Sequence, residues 1–381
     1  MPNFSGIWNL KEQVQAVGAY RWPGAFPPQR LYAWGSNSSG RLGDGTTISR
    51  SSPVQIGDVA DWAQVSAGAD FSAAVKVNGT LWAWGLGNNG RLGDGTTISR
   101  SSPVQIGALT NWAEVATGDD FTASTKTDGT LWAWGLNGDG QLGDNTVIDR
   151  SSPVQVGALT NWSQVSAGRY HTAAITTSGE LYAWGRNNVG QAGDGTVINR
   201  SSPVQIGALT NWAQVSAASS HTVSVKTDGT LWAWGLGNNG RLGTGNVTSR
   251  SSPVQIGSLT NWAQVDGGNS HTVSVKTDGT LWAWGFNSTG EIGDGTTTDR
   301  SSPVQSGALT NWEQASAGSS GSAAIKTDGT LWTWGNNNSG RLGDNTTVPK
   351  SSPVQIGALT NWQQVSVGSV HAAAITYGAS S

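Results

Sequence analysis

One block of alternating apolar and small residues recurs every 50 residues along this chain of 381 residues. In its second copy the block is Leu81 to Gly85 (Leu-Trp-Ala-Trp-Gly), followed by the glycine-rich stretch Leu92 to Thr96 and then by Ser101 to Gln105. The seven copies begin at Leu31, Leu81, Leu131, Leu181, Leu231, Leu281 and Leu331. Short strands and glycine turns inside a repeat of about 40 to 50 residues are typical of a β-propeller or a related array.

Each repeat contains four candidate strands. In the repeat that starts at residue 111, strand A is Trp112 to Thr117, strand B is Phe121 to Lys126, strand C is Leu131 to Trp134 and strand D is Pro153 to Val156. The dipeptide Asp128-Gly129 separates B from C and predicts a tight β-hairpin. Because strand A ends in small residues, and the innermost strands of a propeller have little room for side chains, we expect A innermost and D outermost.

The two ends of the repeat region complement each other. The first element, Leu31 to Ile56, is a C–D pair, whereas the last, Trp362 to Thr376, is an A–B pair. If both halves complete one blade, pairing of the two ends closes the ring and removes exposed sheet edges. Alternation along strand C places its two tryptophans on one face, against the neighbouring blade. The sequence therefore predicts an all-β fold, a seven-bladed β-propeller of four-stranded blades spanning residues 31–381.

Residues 1–30 do not follow the repeat and form a separate leader. Its apolar residues would be costly to leave in water. The prolines around Phe26 disfavour regular structure there, whereas the first half of the leader has a loose helical pattern. We expect a docking arm; the alternative is a poorly ordered end. The residues predicted to dock are Trp8, Leu10, Val14, Trp22 and Phe26.

Composition and charge exclude several classes of function. The chain has 54 glycines, 21 tryptophans and no cysteine, so neither disulfides nor thiolate chemistry is available. The net charge of −3 is spread thinly, without the basic run that binds phosphates, and we expect no nucleic-acid partner. Neither a signal peptide nor a long apolar stretch is present, and we expect no membrane insertion and a cytoplasmic or virion location.

The fifth repeat carries a recognisable set of motifs. It contains Gln214 to Ala217 (Gln-Val-Ser-Ala), His221-Thr222, Lys226 to Gly235 (Lys-Thr-Asp-Gly-Thr-Leu-Trp-Ala-Trp-Gly) and Gly240 to Gly243 (Gly-Arg-Leu-Gly). These motifs resemble the repeat of the regulator of chromosome condensation family, and the resemblance extends over all seven copies. It implies a closed seven-bladed propeller that serves as a protein-binding platform. The family's founder exchanges nucleotide on the GTPase Ran through a wedge-like insertion, which the regular spacing here lacks, so we expect no exchange activity.

The recurring polar residues favour structural roles over chemistry. Four histidines share one repeat position on different blades, where they cannot converge on one metal, and we expect each to bond a neighbouring backbone group. The histidines are His171, His221, His271 and His371. A single aspartate recurs in the loop after strand C, too few oxygens for a calcium loop, and we expect it or the arginine six residues later to bind nearby backbone or the other residue across blades. The aspartates are Asp44, Asp94, Asp144, Asp194, Asp294 and Asp344. We therefore expect no catalytic residue, cofactor or metal, and no enzyme activity.

Variation among the repeats is concentrated on one predicted face. The B–C and D–A loops repeat almost unchanged, whereas the A–B and C–D loops on the other face differ from blade to blade. Because binding residues concentrate on loops carried by a rigid scaffold, the varied face is the candidate partner-binding surface. The alternative is that these loops merely tolerate drift. The candidate residues are Asp70, Asp119, Asp120, Asp139, Arg169, Tyr170, Arg186, Asn269 and Phe286.

The leader carries a second resemblance. Gly6 to Ala16 (Gly-Ile-Trp-Asn-Leu-Lys-Glu-Gln-Val-Gln-Ala), ending at Trp22-Pro23, is similar to the N-terminal segment of structural proteins from marine and freshwater bacteriophages. This resemblance implies a virion protein that docks through residues 1–30 and presents the propeller to a host surface protein or glycan as an adhesion or display module. The alternatives are a cellular protein–protein interaction propeller and a carbohydrate-binding propeller.

Overall fold

A computed structural model describes residues 29–378, which form a closed ring of β-sheets. The predicted docking-arm residues Trp8, Leu10, Val14, Trp22 and Phe26 lie outside this range. Within it, the strands in chain order are β1 (Arg30–Gly35), β2 (Arg50–Gln55), β3 (Trp62–Ala67), β4 (Phe71–Lys76), β5 (Leu81–Gly85), β6 (Arg100–Gln105), β7 (Trp112–Thr117), β8 (Phe121–Lys126), β9 (Leu131–Gly135), β10 (Arg150–Gln155), β11 (Trp162–Ala167), β12 (His171–Thr176), β13 (Leu181–Gly185), β14 (Arg200–Gln205), β15 (Trp212–Ala217), β16 (His221–Lys226), β17 (Leu231–Gly235), β18 (Arg250–Gln255), β19 (Trp262–Gly267), β20 (His271–Lys276), β21 (Leu281–Gly285), β22 (Arg300–Gln305), β23 (Trp312–Ala317), β24 (Gly321–Lys326), β25 (Leu331–Gly335), β26 (Lys350–Gln355), β27 (Trp362–Val367) and β28 (His371–Thr376).

The described strands form seven four-stranded antiparallel blades, as the sequence predicts. Blade 1 combines β27 and β28 with β1 and β2, and blades 2 to 7 take the remaining strands four at a time in chain order. The first strand of each blade contacts the first strand of the next blade, and the ends of these strands line a central channel. Strand A is therefore innermost and strand D outermost. Among the described residues, helix is limited to single 3₁₀ turns at Asn88–Gly90, Asn238–Gly240 and Asn338–Gly340, and no helix is long enough to cross a bilayer.

The ring closes through the pairing of β1 with β28, which confirms the prediction from the two half-blades. The ladder runs without a bulge from Arg30 opposite Thr376 to Gly35 opposite His371. Beside this ladder, the amide of Gln29 donates to the carbonyl of Ala60 in the loop that leads into blade 2, which ties blade 1 to blade 2. Closure leaves blade 1 with the same strand order as its neighbours.

The tryptophans of strand C hold adjacent blades together. Trp84 is fully buried and packs with Leu31, Leu42 and Trp62, so it fills the space between blades 1 and 2. Its indole nitrogen donates to the carbonyl of Arg41 in blade 1 at 2.9 Å. A buried tryptophan contributes a large apolar area, and its N–H usually needs a partner. The same packing recurs around the described ring, which confirms the predicted packing of strand C against the neighbouring blade. The indole N–H of Trp134 is the exception to the hydrogen bond, because among the described residues it has no partner.

The boundaries of the strands follow the sequence closely except in strand D. The B–C hairpin forms as predicted, with Gly129 at a φ of +78° and the side chain of Asp128 accepting from Thr130. Strand D was predicted at Pro153 to Val156, but β10 begins at Arg150 and ends at Gln155. The register between β9 and β10 shifts between Arg150 and Val154. This irregular pairing lets a polar Arg-Ser-Ser-Pro run enter the sheet without the alternation that marks a strand.

Candidate functional site

The A–B and C–D loops lie on one face, and ion pairs link them from blade to blade. The guanidinium of Arg41, in the C–D loop of blade 1, lies 2.9 Å from the Asp70 carboxylate at the A–B tip of blade 2. Arg91 repeats this contact with Asp120 of blade 3 at 2.7 Å. Both arginines are almost fully buried. Two of the predicted site residues, Asp70 and Asp120, are therefore anchored by arginines that the sequence analysis did not single out.

Five of the predicted residues form one continuous chain of contacts across blades 3 and 4. We call these residues the charged arc: Asp119, Asp139, Arg169, Tyr170 and Arg186. The Asp119 carboxylate lies 3.0 Å from Nε of Arg169, and Asp139 lies 3.8 Å from Nε of Arg186. Both guanidinium groups stack near the ring of Tyr170, at 4.9 and 4.8 Å from its centre. The arc therefore presents an aromatic ring held between two cations, with an acid at each end.

The carboxyl of Asp119 is electrostatically unusual. Burial raises its pKa to about 6, and the nearby carboxylates of Asp120 and Asp70 act in the same direction, whereas Arg169 opposes them. One end of the charged arc therefore gains a proton as the pH falls through 6. That change weakens the attraction between residues 119 and 169.

The A–B tips are held rigidly around the channel mouth. The amide of Arg169 donates to the carbonyl of Ala218 in the next blade at 3.3 Å. A Cβ on Gly118 would lie 2.3 Å from the carbonyl oxygen of Gly168 in the next blade, so this close approach requires glycine. The charged arc is thus mounted on backbone that neighbouring blades hold in position.

Asn269 and Phe286 lie in blade 6, apart from the charged arc. The amide of Asn269 donates to the carbonyl of Gly318 at 3.1 Å, and its own carbonyl accepts from Arg241 at 2.9 Å. The amide of Phe286 donates to the carbonyl of Ser270. Both side chains are partly exposed on the same varied face. The structure therefore divides the nine predicted loop residues between blades 2 to 4 and blade 6.

The histidines make a contact different from the predicted one. Nε2 of His171 lies 2.8 Å from the hydroxyl of Thr222 in the next blade, not against a backbone group. Because the Thr222 hydroxyl itself donates to the carbonyl of Gln191, it must accept from His171, which assigns the proton to Nε2. Burial lowers the pKa of His171 to about 3. The ring is therefore neutral at physiological pH and serves as a clamp between blades; the sequence could not identify a partner 51 residues away.

The recurring aspartate and arginine pair within one loop, not across blades. Asp94 accepts from the amide and hydroxyl of Thr96 through one oxygen and from Nε and Nη2 of Arg100, at 3.0 and 2.7 Å, through the other. Partial burial raises the pKa of Asp94, but the hydrogen bonds from Thr96 and Arg100 outweigh it and leave the pKa below its usual value. Both carboxylate oxygens of Asp94 accept hydrogen bonds from within the loop, so this aspartate stabilises the turn. Among the described residues, histidines and acids form no cluster of three suited to a metal.

A further bridge between blades involves an acid that the sequence analysis missed. Gln64 accepts from the amide of Val115 at 2.7 Å and donates to its carbonyl at 2.8 Å, thereby joining the inner strands of blades 2 and 3. In blade 3 the equivalent residue is Glu114, which accepts from the amide of Val165 at 3.2 Å. Burial raises the pKa of Glu114 to about 8. The signal was present in the repeats, since glutamine occupies this position in every other copy.

The sequence of the chain matches models of known protein families. Residues 27–273 match the family model described as RCC1-like domain, and residues 278–325 and 328–375 match the regulator of chromosome condensation (RCC1) repeat. No curated protein matches the chain.

Solved structures share the fold at low sequence identity. Human WBSCR16 is 19% identical with a TM-score of 0.83, and the match covers 92% of this chain and 99% of that one. Yeast RCC1 (Prp20), solved bound to Kap60, is 18% identical with a TM-score of 0.84, and the match covers 100% of this chain and 94% of that one. Prp20p from Saccharomyces cerevisiae, described with its binding to Gsp1p and histones, is 19% identical with a TM-score of 0.84, covering 98% and 96%.

Proposed function

The chain belongs to the RCC1-like domain family, and on that premise we propose that it is a non-enzymatic protein-binding module whose A–B and C–D loops form the recognition surface. The observation that carries this proposal is the charged arc. Tyr170 lies between two cations on rigid tips, and aromatic and arginine side chains are the residues that most often dominate protein interfaces. The opposite face lacks such variation, because its loops repeat almost unchanged.

The structural relatives support the proposal that the partner is a protein, but they do not identify which protein it is. Yeast Prp20 has been solved bound to Kap60, and its binding to Gsp1p and histones is described. The charged arc carries both signs of charge, so it suits a partner surface with mixed charges better than a uniformly basic one. A rim of charges also steers association, and we expect binding to weaken as salt is added.

A pair of variants tests this proposal. The side chain of Arg186 is 38% exposed, so Arg186→Glu reverses a charge of the arc without disturbing the core. The matched control is Leu209→Lys, since Leu209 is 49% exposed in a D–A loop on the opposite face. Partners captured from the native cells by the wild-type chain should be retained by Leu209→Lys. We expect Arg186→Glu to weaken their measured affinity about tenfold or more.

The opposite pattern would count against the charged arc. A partner retained by Arg186→Glu and lost with Leu209→Lys would place recognition on the B–C and D–A face. The carbohydrate alternative makes a different prediction, namely that the wild-type chain binds defined glycans on an array. Binding to glycans that persists in Arg186→Glu, without any captured protein, would favour that alternative.

A virion role is a separate proposal that rests on residues 6–23 alone. The match to the RCC1-like domain begins at residue 27, so it lends the bacteriophage resemblance no support. The observation that favours the role is the apolar content of the leader, with Trp8, Leu10 and Val14 at a loose helical spacing. Light scattering should show assembly of the full chain and not of a chain that starts at residue 28. If both are identical monomers, the docking-arm proposal fails.

A further inference from the structure

Blade 5 breaks the most regular polar contact of the ring. In the other blades an aspartate of the C–D loop binds the basic residue six positions later, as Asp194 binds Nε of Arg200 at 2.7 Å. Blade 5 has Thr244 at the aspartate position and keeps the basic residue, Arg250. Nε of Arg250 is buried and, among the described residues, has no hydrogen-bond partner. Arg250 therefore lacks the carboxylate that the other five arginines and Lys350 receive within their loops.

A second substitution also distinguishes this loop from that of blade 4. The asparagine that supports the aspartate in five blades, as Asn187 does with its side-chain amide 3.1 Å from Asp194, is replaced by glycine at Gly237 and also at Gly87 in blade 2. A Cβ on Gly237 would lie 2.4 Å from the carbonyl oxygen of Thr248, so backbone closes over the asparagine position. Asn246 is exposed and supplies the acceptor for the amide of Thr248. The missing aspartate is therefore the change that leaves Arg250 without a carboxylate.

The unpaired arginine borders a groove between blades 5 and 6. The groove has a volume of about 440 Å³, and its lining includes Arg250 and Thr244. Apolar groups form much of the remaining wall. They come from Val254, Leu259, Trp262, Trp282 and Pro303. A cation at one end of an apolar groove suits a ligand that combines a carboxylate with an apolar group.

We propose that Arg250 donates hydrogen bonds to an aspartate or glutamate side chain of a partner protein, with a neighbouring apolar residue of that partner seated against Trp262 and Trp282. The proposal rests on the proposed protein-binding function and adds a second contact to it, away from the charged arc. The argument for this occupant is charge complementarity, since the same arginine binds a carboxylate through Nε and Nη2 in the sister loops. A partner carboxylate would meet the guanidinium from outside the chain.

The test uses a defined probe, acetyl-Asp-Leu-amide, against the uncharged acetyl-Asn-Leu-amide. The readout is the ¹⁵N resonance of each arginine Nε–H, assigned by single Arg→Lys variants of the full chain. We expect the Arg250 signal to shift with the aspartyl peptide and the Arg200 signal to remain in place. The asparaginyl peptide should bind about tenfold more weakly or worse, because it lacks the charge-assisted bonds.

Two variants separate the site from general effects of the peptide. Thr244→Asp supplies the missing carboxylate from within the loop, should fold because the sister loops carry aspartate, and should abolish the response of Arg250. The double variant Asn187→Gly with Asp194→Thr introduces the glycine and threonine of the blade 5 loop at the equivalent positions of blade 4. We expect it to make the Arg200 signal respond to the peptide.

Four outcomes would overturn the proposal. One is an equal response to both peptides, and another is an unchanged response in Thr244→Asp. The third is binding of acetate alone as tight as that of the peptide, which would leave the apolar wall without a role. The fourth is an Arg250 signal that does not respond to the aspartyl peptide; if the chain still captures a partner through the charged arc, this result refutes the site and leaves the proposed function intact. If the wild-type chain captures no protein while Arg250 still responds to the peptide, only the proposed function of the arc is refuted.

Discussion

Glu114 offers the sharpest test of how the inner strands are joined. Six other blades use glutamine at this position, and Gln64 shows that the side chain both accepts from and donates to the next blade. A carboxylic acid can do the same only when it is protonated, because a carboxylate has no donor for the carbonyl of Val165. The raised pKa of about 8, caused by burial, is consistent with a protonated Glu114 at neutral pH.

The substitution Glu114→Gln should therefore change stability in a pH-dependent manner. In the folded chain the proton is released around pH 8, whereas in the unfolded chain it is released around 4.5, the ordinary value for glutamate. Between these values the folded state holds more protons, so the wild type loses stability as pH rises, by about 1.4 kcal/mol per pH unit. Over the whole interval the ceiling is about 5 kcal/mol. Residue 114 keeps some solvent exposure, which screens the effect, and we expect about 2 kcal/mol.

The assay is differential scanning calorimetry of the wild type and Glu114→Gln at several pH values. The two melting temperatures should coincide near pH 4.5, and the variant should melt roughly 3 °C higher near pH 8.5. Gln164→Glu is the matched control, since it places a carboxyl at the same position in blade 4 and should add a pH dependence of the same sign. A melting difference between the wild type and Glu114→Gln that does not vary with pH would refute the reasoning.

Three further predictions, two of them with a matched control substitution, test other parts of the ring through the free energy of unfolding in urea. Gly93→Ala should cost more than about 2 kcal/mol, because φ is +83° and the new Cβ would lie 2.5 Å from a buried indole; Gly107→Ala, with φ of +63° and open space, should cost about 1 kcal/mol. Asp94→Ala should lower the free energy of unfolding by about 1 to 3 kcal/mol, because it removes the hydrogen-bond acceptor of its loop, and Asp94→Asn should lower it less. Equal losses in the two variants would show that the charge of Asp94 does not cause the stabilisation. His221→Phe should change the free energy of unfolding by less than about 1 kcal/mol, since phenylalanine occupies this position in two other blades. A larger loss would show that the contact between His221 and the hydroxyl of Thr272 is needed for stability.

The repeat pattern was sufficient to predict the architecture, because its signals are local. The Asp128-Gly129 turn and the alternation in Leu131 to Trp134 set the hairpin and the buried face, and both ends of the chain revealed the closure. Strand D was misplaced because a bulge admits residues that do not alternate. The start of β10 at Arg150 could not be inferred from side-chain periodicity.

The contacts between blades were the part that the sequence could not supply. The predicted partner of His171 was a backbone group, and the observed one is a hydroxyl on the next blade. Aspartates at the loop tips were correctly noted as variable, but their pairing with Arg41 and Arg91 depends on how two loops of different blades meet. By contrast, the missing aspartate at Thr244 was visible in the aligned copies and became informative only when its unpaired arginine and the groove were seen together.

The seam between β1 and β28 also determines how the ring responds to mechanical force. The strands are antiparallel, and Arg30 pairs with Thr376 at the end of the ladder that leads to residues 29 and 378, whereas Gly35 and His371 pair at the end where both strands continue into the ring. Tension applied across residues 29 and 378 would load this ladder one hydrogen-bonded pair at a time, like a zipper, and not all pairs together. Blades 2 to 7 lie outside that load path until the seam has opened. The closure that completes the circle is therefore also its weakest point under a pull on both ends, and a single-molecule stretching trace should begin with a low-force opening of blade 1.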